Sequence, residues 1–166
     1  WLGCSAAITY TATSSAATAL TITGPSSGLV GAASTNFTVG ANGTLAGTVT
    51  VTPQASGGGS FSPVSFSISP GAPSATFTYT PATTGVKTIS LTNTGGLTNP
   101  ANLSYTANPT PATAITLSGP GSGTVDQASA SFVVGANGAI TGTVVVTPSD
   151  GVGGVFTPSS VSISSA

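Results

Sequence analysis

The chain has 166 residues, of which 39% are hydrophobic and 2% are charged, and its formal net charge is −1. One Lys and two acidic residues cannot form the basic surface that binding of nucleic acid requires. Disorder needs low hydrophobicity and high net charge, and this sequence has neither. We therefore expect a folded chain that does not bind nucleic acid. We also expect no membrane insertion, because no run of about 18 apolar residues occurs.

Seven short segments alternate apolar residues with Thr or Ser, which is typical of strands that have one buried and one exposed face. In chain order, strands are predicted at Ala19–Thr23, Asn36–Val39, Gly47–Thr52, Val64–Ser69, Ala75–Thr80, Lys87–Thr92 and Asn102–Thr106. Asn42-Gly43 is predicted to form a hairpin turn between the second and third of these strands. No apolar stripe with helical spacing recurs, so the sequence predicts an all-β fold.

The alternation also predicts which side chains are buried. Within the fourth segment, Val64, Phe66 and Ile68 share one face and are expected to point into the core. Most aromatic residues have the same inward register. Those expected in or beside the core are Tyr10, Phe37, Phe66, Phe77, Tyr79, Tyr105 and Phe132.

The sequence repeats itself at a distance of 95 residues, the distance from Thr18 to Thr113. Thr18–Pro53 aligns without a gap to Thr113–Pro148, and 22 of the 36 positions are identical. Ile8–Ala12 aligns with Leu103–Ala107 at the same distance. A period of this size is typical of one β-sandwich domain in a tandem array.

We interpret residues 1–16 as the last strand of a preceding copy, 17–111 as one complete copy and 112–166 as an incomplete second copy. On this interpretation the chain is a piece of a longer array. An alternative is head-to-tail assembly, in which the first strand of one subunit completes the last copy of another. Residues 1–16 could supply only the final strand, so two further strands would still be missing.

One copy contains the segments GPSSGLVGAASTNFTVGANG, TVTVTP, FSPVSFSIS, ATFTYTPATTGVKTISLTNTGGLTNP and LSYTA. Together they resemble the bacterial immunoglobulin-like tandem repeats of large secreted or surface-attached proteins and of phage structural proteins. The resemblance implies antiparallel β-sandwich repeats located outside the cell or on a virion surface. It brings no catalytic residues with it.

The sequence offers little chemistry. There is no His or Glu, and Asp126 and Asp150 are the only acids, so no acid–base pair or oxygen-rich metal site is expected. Lys87 is expected to cover the core edge with its stem while its amine reaches water. Cys4 is the only cysteine, is expected to be structural, and cannot form a disulfide within the chain. We predict no enzymatic activity, no metal and no cofactor.

Two function classes remain. The first is a structural or adhesive array that acts as a spacer, filament or appendage on a bacterial surface or a virion, with neighbouring repeats or copies of itself as partners. The second is a lectin-like module that binds surface carbohydrate. Sugar sites on β-sandwiches use aromatic platforms, and only Trp1, Phe61 and Phe156 fall outside the inward register. These three residues are therefore the candidates for a weak surface contact.

Overall fold

A computed structural model describes residues 8–165, so Trp1 and Cys4 lie outside the described residues. The described residues form thirteen β-strands and no helix, which confirms the predicted all-β fold. They divide into two compact units, of which unit 1 ends at Asn108 and unit 2 begins at Pro109.

Unit 1 contains nine strands in two sheets. In chain order they are β1 (Leu20–Thr23), β2 (Ser27–Leu29), β3 (Phe37–Ala41), β4 (Val49–Ala55), β5 (Ser60–Ser62), β6 (Phe66–Ile68), β7 (Ser74–Thr80), β8 (Gly85–Asn93) and β9 (Leu103–Asn108). The first sheet has the order β1-β3-β7-β5, and the second has the order β2-β9-β8-β4-β6. Neighbouring strands are antiparallel except β2 and β9, which are parallel.

The two sheets of unit 1 pack face to face around one apolar core, in which aromatic rings join the sheets. Phe37 on β3 stacks on Phe77 on β7, with ring centroids 5.0 Å apart, and lies 6.0 Å from Tyr105 on β9 of the other sheet. The buried hydrophobic residues are Leu20, Phe37, Val39, Leu45, Val49, Val51, Ile68, Phe77, Tyr79, Ile89, Leu91, Tyr105 and Ala107. They alternate with outward residues along each strand, as one-sided burial of a sheet requires.

All seven strands predicted within residues 17–111 are present, with their ends shifted by a few residues. The strands β2 and β5 were not predicted. Each has only three residues, which is too short for a period of two to be visible.

The predicted hairpin at Asn42-Gly43 is wrong, because β3 and β4 lie in different sheets. The Asn42 side chain instead holds the start of β1. Its Oδ1 accepts hydrogen bonds from the backbone N–H groups of Thr18 (2.9 Å) and Ala19 (3.0 Å), and its Nδ2 donates to Thr18 Oγ1 (3.0 Å). An Asn-Gly pair therefore marks a side-chain anchor here.

The inward position predicted for Val64 is also wrong, since this side chain is 72% exposed. The strand β6 begins two residues later, at Phe66, so the alternation does not extend back to Val64. Ile68 is buried and Phe66 is half-buried against the core.

Unit 2 contains four strands, β10 (Ile115–Ser118), β11 (Val133–Ala136), β12 (Thr143–Val146) and β13 (Val161–Ser164). They form two antiparallel pairs, β10 with β11 and β12 with β13. The pairing of Ile115 with Ala136 has the register of Leu20 with Ala41 in unit 1. The pairing of Val144 with Ile163 likewise has the register of Val49 with Ile68.

Candidate functional site

The candidate contact residues do not form one described site. Trp1 lies outside the described residues. Phe61 on β5 is half-buried, and the centroid of its ring lies 5.6 Å from that of Phe77 and 4.9 Å from that of Tyr79. Phe156 is half-buried in the segment between β12 and β13, in the other unit. Phe61 therefore has only part of its ring available to a ligand, and the rest belongs to the core.

The core positions predicted for the aromatic residues are confirmed for Phe37, Phe66, Phe77, Tyr79 and Tyr105 but are wrong for Phe132 in unit 2 and Tyr10 in unit 1. Phe132 is exposed although its counterpart Phe37 is buried, because no described residue of unit 2 corresponds to Phe77 or Tyr105. Tyr10 is exposed because it lies ahead of β1 and outside any strand. Burial at such positions depends on strands elsewhere in the fold, which the local alternation cannot reveal.

The two acidic residues, Asp126 and Asp150, are exposed. The Asp150 carboxylate accepts hydrogen bonds from the backbone N–H groups of Val152 (3.0 Å), Gly153 (3.0 Å) and Gly154 (2.9 Å). These bonds, that from Val152 first, hold the pKa of Asp150 below its usual value. A carboxylate held in this way is a loop-forming group and is poorly suited to general acid–base work.

The prediction that the Lys87 amine reaches water is wrong. Lys87 lies on β8 and is 5% exposed. Its Nζ donates to Thr83 Oγ1 (2.7 Å) and to the Thr84 carbonyl oxygen (3.2 Å). Because a buried ammonium group needs hydrogen-bond acceptors, this turn at the start of β8 replaces the water that the sequence led us to expect. The only Lys of the chain is therefore withdrawn from the surface.

Within residues 8–165, no group of three or more His, Cys, Asp or Glu side chains is placed to hold a metal ion. The same stretch contains no helix of the length and apolar character needed to cross a membrane.

Unit 2 contains at least two cavities, both open to solvent, that were not predicted from the sequence. One of ≈ 380 Å³ is lined by Pro111, Ala112, Thr113, Ala114, Ile115, Ala139, Ile140, Thr141 and Val144. Another of ≈ 620 Å³ is lined by Pro109, Gly135, Ala136, Gly138, Ala139, Ile140, Thr141, Ile163, Ser164 and Ser165. The first cavity could have been predicted from the repeat in the sequence. Two of its apolar lining residues, Ile140 and Val144, align with Leu45 and Val49, which are buried in unit 1.

Compared with protein-family models and with curated proteins, the chain matches none of them.

Proposed function

We propose that this chain is a segment of a non-catalytic array of immunoglobulin-like repeats, which acts as a spacer, filament or appendage on a bacterial cell surface or a phage virion. Its partners are neighbouring repeats or copies of itself. The two sheets of unit 1 pack face to face and are antiparallel except for the parallel pair β2–β9, and this arrangement supports an immunoglobulin-like sandwich as the repeating unit.

The observation that carries the proposal is the recurrence of one anchor 95 residues apart. Asn137 Oδ1 accepts from the N–H groups of Thr113 (2.9 Å) and Ala114 (3.0 Å), and its Nδ2 donates to Thr113 Oγ1 (2.9 Å). Asn42 makes the same three bonds in unit 1. Two stretches that share the same strand register and the same Asn hydrogen bonds support a repeated structural unit. Repeated structural units are the basis of extended arrays.

The charge distribution also supports a structural role. Asp126, Asp150 and Lys87 are the only charged side chains, and the last of these is buried. An almost uncharged surface has little long-range repulsion, which favours close packing of neighbouring copies.

A lectin-like module is the second candidate, because Phe61 and Phe156 are half-buried and leave part of each ring in contact with solvent. Sugars bind aromatic faces, but recognition also needs polar groups around the ring. The packing of Phe61 on Phe77 and Tyr79 favours the structural candidate, since it uses the ring to complete the core.

Two measurements on residues 1–166 test the proposal. Antibodies raised against the chain should label the outer surface of the source cells or particles, and a glycan array should give no saturable binding. Strong binding to one sugar class that is lost in Phe61→Ala, while Val64→Ala retains it, would overturn the structural role. Label confined to the cell interior would also contradict the proposal.

A further inference from the structure

The chain enters and leaves unit 1 at opposite ends of the sandwich. Just before β1, Ala19 forms a parallel bridge with Thr98. At the end of β2, Leu29 pairs in parallel with Asn108, the last residue of β9. The two residues of each pair are 79 positions apart, so the register does not change between the bridge and the pair. The entry end and the exit end are therefore roughly 30 Å apart, at about 3.3 Å per residue.

Tension along the chain would load this arrangement in shear. The preceding residues would pull β1 and β2 toward the entry end, and the following residues would pull β9 toward the exit end. Parallel partners would then slide past each other, so that their evenly spaced hydrogen bonds are strained together and do not open one after another. The backbone bonds at the two ends join Leu20 N–H to Thr98 O (2.9 Å), Thr98 N–H to Thr18 O (3.0 Å), Thr106 N–H to Ser26 O (2.8 Å) and Val30 N–H to Asn108 O (2.9 Å).

A second group of hydrogen bonds holds the residues that precede β1. We name residues 15–19 the entry segment of unit 1. Thr44 N–H donates to the Ser15 carbonyl oxygen (2.9 Å), and Ala17 N–H donates to the Thr44 carbonyl oxygen (2.8 Å). The next residue, Leu45, is buried in the core. These bonds therefore tie the entry segment to a fixed point of the fold.

The Asn42-Gly43 pair completes this attachment. The Asn42 side chain makes three hydrogen bonds to two successive residues of the entry segment, Thr18 and Ala19. A Cβ added at Gly43 would lie only 2.6 Å from the Ser15 carbonyl oxygen. The Asn thus supplies the bonds, and the glycine allows the entry segment to pass in direct contact with the backbone.

Unit 2 holds its own entry segment, residues 110–114, in the same way. Ala139 N–H donates to the Thr110 carbonyl oxygen (2.9 Å), and Ala112 N–H donates to the Ala139 carbonyl oxygen (2.7 Å). A Cβ added at Gly138 would lie 2.7 Å from the Thr110 carbonyl oxygen. Ala139 aligns with Thr44, so the side chain at this position differs while the Asn-Gly pair and the backbone bonds are the same.

We propose that each copy is a load-bearing link, in which Asn42 and Asn137 hold the entry segments against tension along the chain. In unit 1 the parallel pair of β2 and β9 carries the same load at the exit end. The inference rests on the array proposed above, because a spacer or appendage attached at both ends carries tension.

The test is single-molecule stretching of residues 1–166 held by tags at the two chain ends. Unfolding of residues 15–108 should lengthen the chain by about 300 Å, at roughly 3.3–3.6 Å per residue, and this length identifies the unit 1 event. At a fixed force, Asn42→Ala should raise the rate of this event on the order of tenfold or more, because three hydrogen bonds are lost. Thr18→Val removes only the Oγ1 acceptor and should give a smaller increase.

Two control variants separate load bearing from ordinary stabilisation. Asn137→Ala makes the same change in unit 2 and should leave the rate of the unit 1 event unchanged. Ser34→Ala removes a hydroxyl that accepts from Tyr79 N–H (3.0 Å), away from the entry segment. Urea unfolding gives the loss of equilibrium stability in each variant. For the same loss, Asn42→Ala should raise the forced-unfolding rate more than Ser34→Ala does, since forced unfolding depends on the unfolding rate.

An unchanged forced-unfolding rate in Asn42→Ala would overturn the proposal. So would equal increases in Asn42→Ala and Ser34→Ala for equal losses of equilibrium stability. If Asn42→Ala does not fold, Thr18→Val decides the question by the same comparison.

The stretching result is independent of the proposed function. Saturable glycan binding would remove the spacer role but leave the effect of Asn42→Ala on unfolding under force measurable. Unchanged rates together with surface labelling would remove only the load-bearing proposal.

Discussion

Tyr79 and Tyr105 pack edge to face in the core of unit 1, with ring centroids 5.4 Å apart, but their hydroxyl groups have different environments. The Tyr79 hydroxyl donates to the Gly58 carbonyl oxygen at 2.5 Å. The Tyr105 hydroxyl is buried and has no hydrogen-bond partner among the described residues. One ring therefore contributes a polar contact to the core, and the other carries a desolvated hydroxyl.

This difference predicts opposite effects of two equivalent substitutions. Tyr105→Phe should leave the free energy of unfolding unchanged or raise it by about 1 kcal/mol, because it removes an unsatisfied buried hydroxyl. Tyr79→Phe should lower it by about 1 kcal/mol, because the Gly58 carbonyl loses its donor. Urea unfolding of residues 1–166 compares the two variants. A larger loss for Tyr105→Phe would show that its hydroxyl has a partner, such as a buried water.

We expect the same tyrosines to reduce the free energy of unfolding at alkaline pH. Burial raises the pKa of Tyr105, and burial together with the neighbouring Tyr105 raises the pKa of Tyr79. In the unfolded chain these hydroxyls ionise near pH 10. The stability that the two protonated hydroxyls contribute is therefore fully present below about pH 10, and it is lost as pH rises through their pKa values in the folded chain.

At acid pH, the lowered pKa of Asp150 also affects the free energy of unfolding. The ionised carboxylate stabilises the fold above the pKa that Asp150 has in the unfolded chain, and this stabilisation is lost as pH falls through the pKa of Asp150 in the folded chain. We expect this contribution to be small because the carboxylate is exposed.

Denaturant midpoints should therefore stay level between about pH 5 and 9 and fall above about pH 10. The Tyr79→Phe/Tyr105→Phe double variant should lose most of the alkaline decrease, and a decrease that persists in it would assign the effect to other groups.

The close contact of Gly28 with Tyr105 predicts a difference between two matched glycines. Gly28→Ala should lower the free energy of unfolding by about 1–3 kcal/mol, because the new methyl group overlaps the Tyr105 hydroxyl. Gly123→Ala, at the aligned position 95 residues later, should change it by less than about 0.5 kcal/mol, because nothing lies near its Cβ position. Thermal melts of the two variants provide the comparison, and equal shifts would contradict the open position of Gly123.

Phe66 and Val64 are two residues apart but differ in packing, and this difference is also testable. Phe66 stacks on Phe77 with ring centroids 5.7 Å apart, so Phe66→Ala should lower the free energy of unfolding by about 3 kcal/mol. Val64→Ala should change it by less than about 0.5 kcal/mol, because Val64 is exposed. Denaturant unfolding of both variants checks the prediction, and a negligible effect of Phe66→Ala would place this ring outside the core.

The strands that could be predicted from sequence are those long enough to alternate. The seven residues of β7 and the nine of β8 show the period clearly, whereas β2 and β5 have three residues each. The role of Asn42 was not predictable, because Asn-Gly fits a hairpin turn as well as a side-chain anchor. Only the long-range choice of sheet separates these two possibilities.

Burial was predictable only where the sequence also contains the covering strand. Phe37 and Phe132 have the same local pattern, but one is buried and the other exposed because β7 and β9 cover only the first. Lys87 was misplaced for a different reason. Its acceptors, Thr83 and Thr84, are close in sequence, but only a particular turn brings their oxygen atoms to the amine.

The burial of Lys87 on β8 has a consequence for proteolysis. Trypsin cleaves after Lys or Arg, and this is the only such residue in the chain. The peptide bond that follows it lies within β8, which pairs with β4 on one side and β9 on the other. Cleavage therefore requires β8 to leave its sheet, so the folded chain should resist trypsin. A single cut, yielding two fragments of predictable mass, would then report how often unit 1 opens.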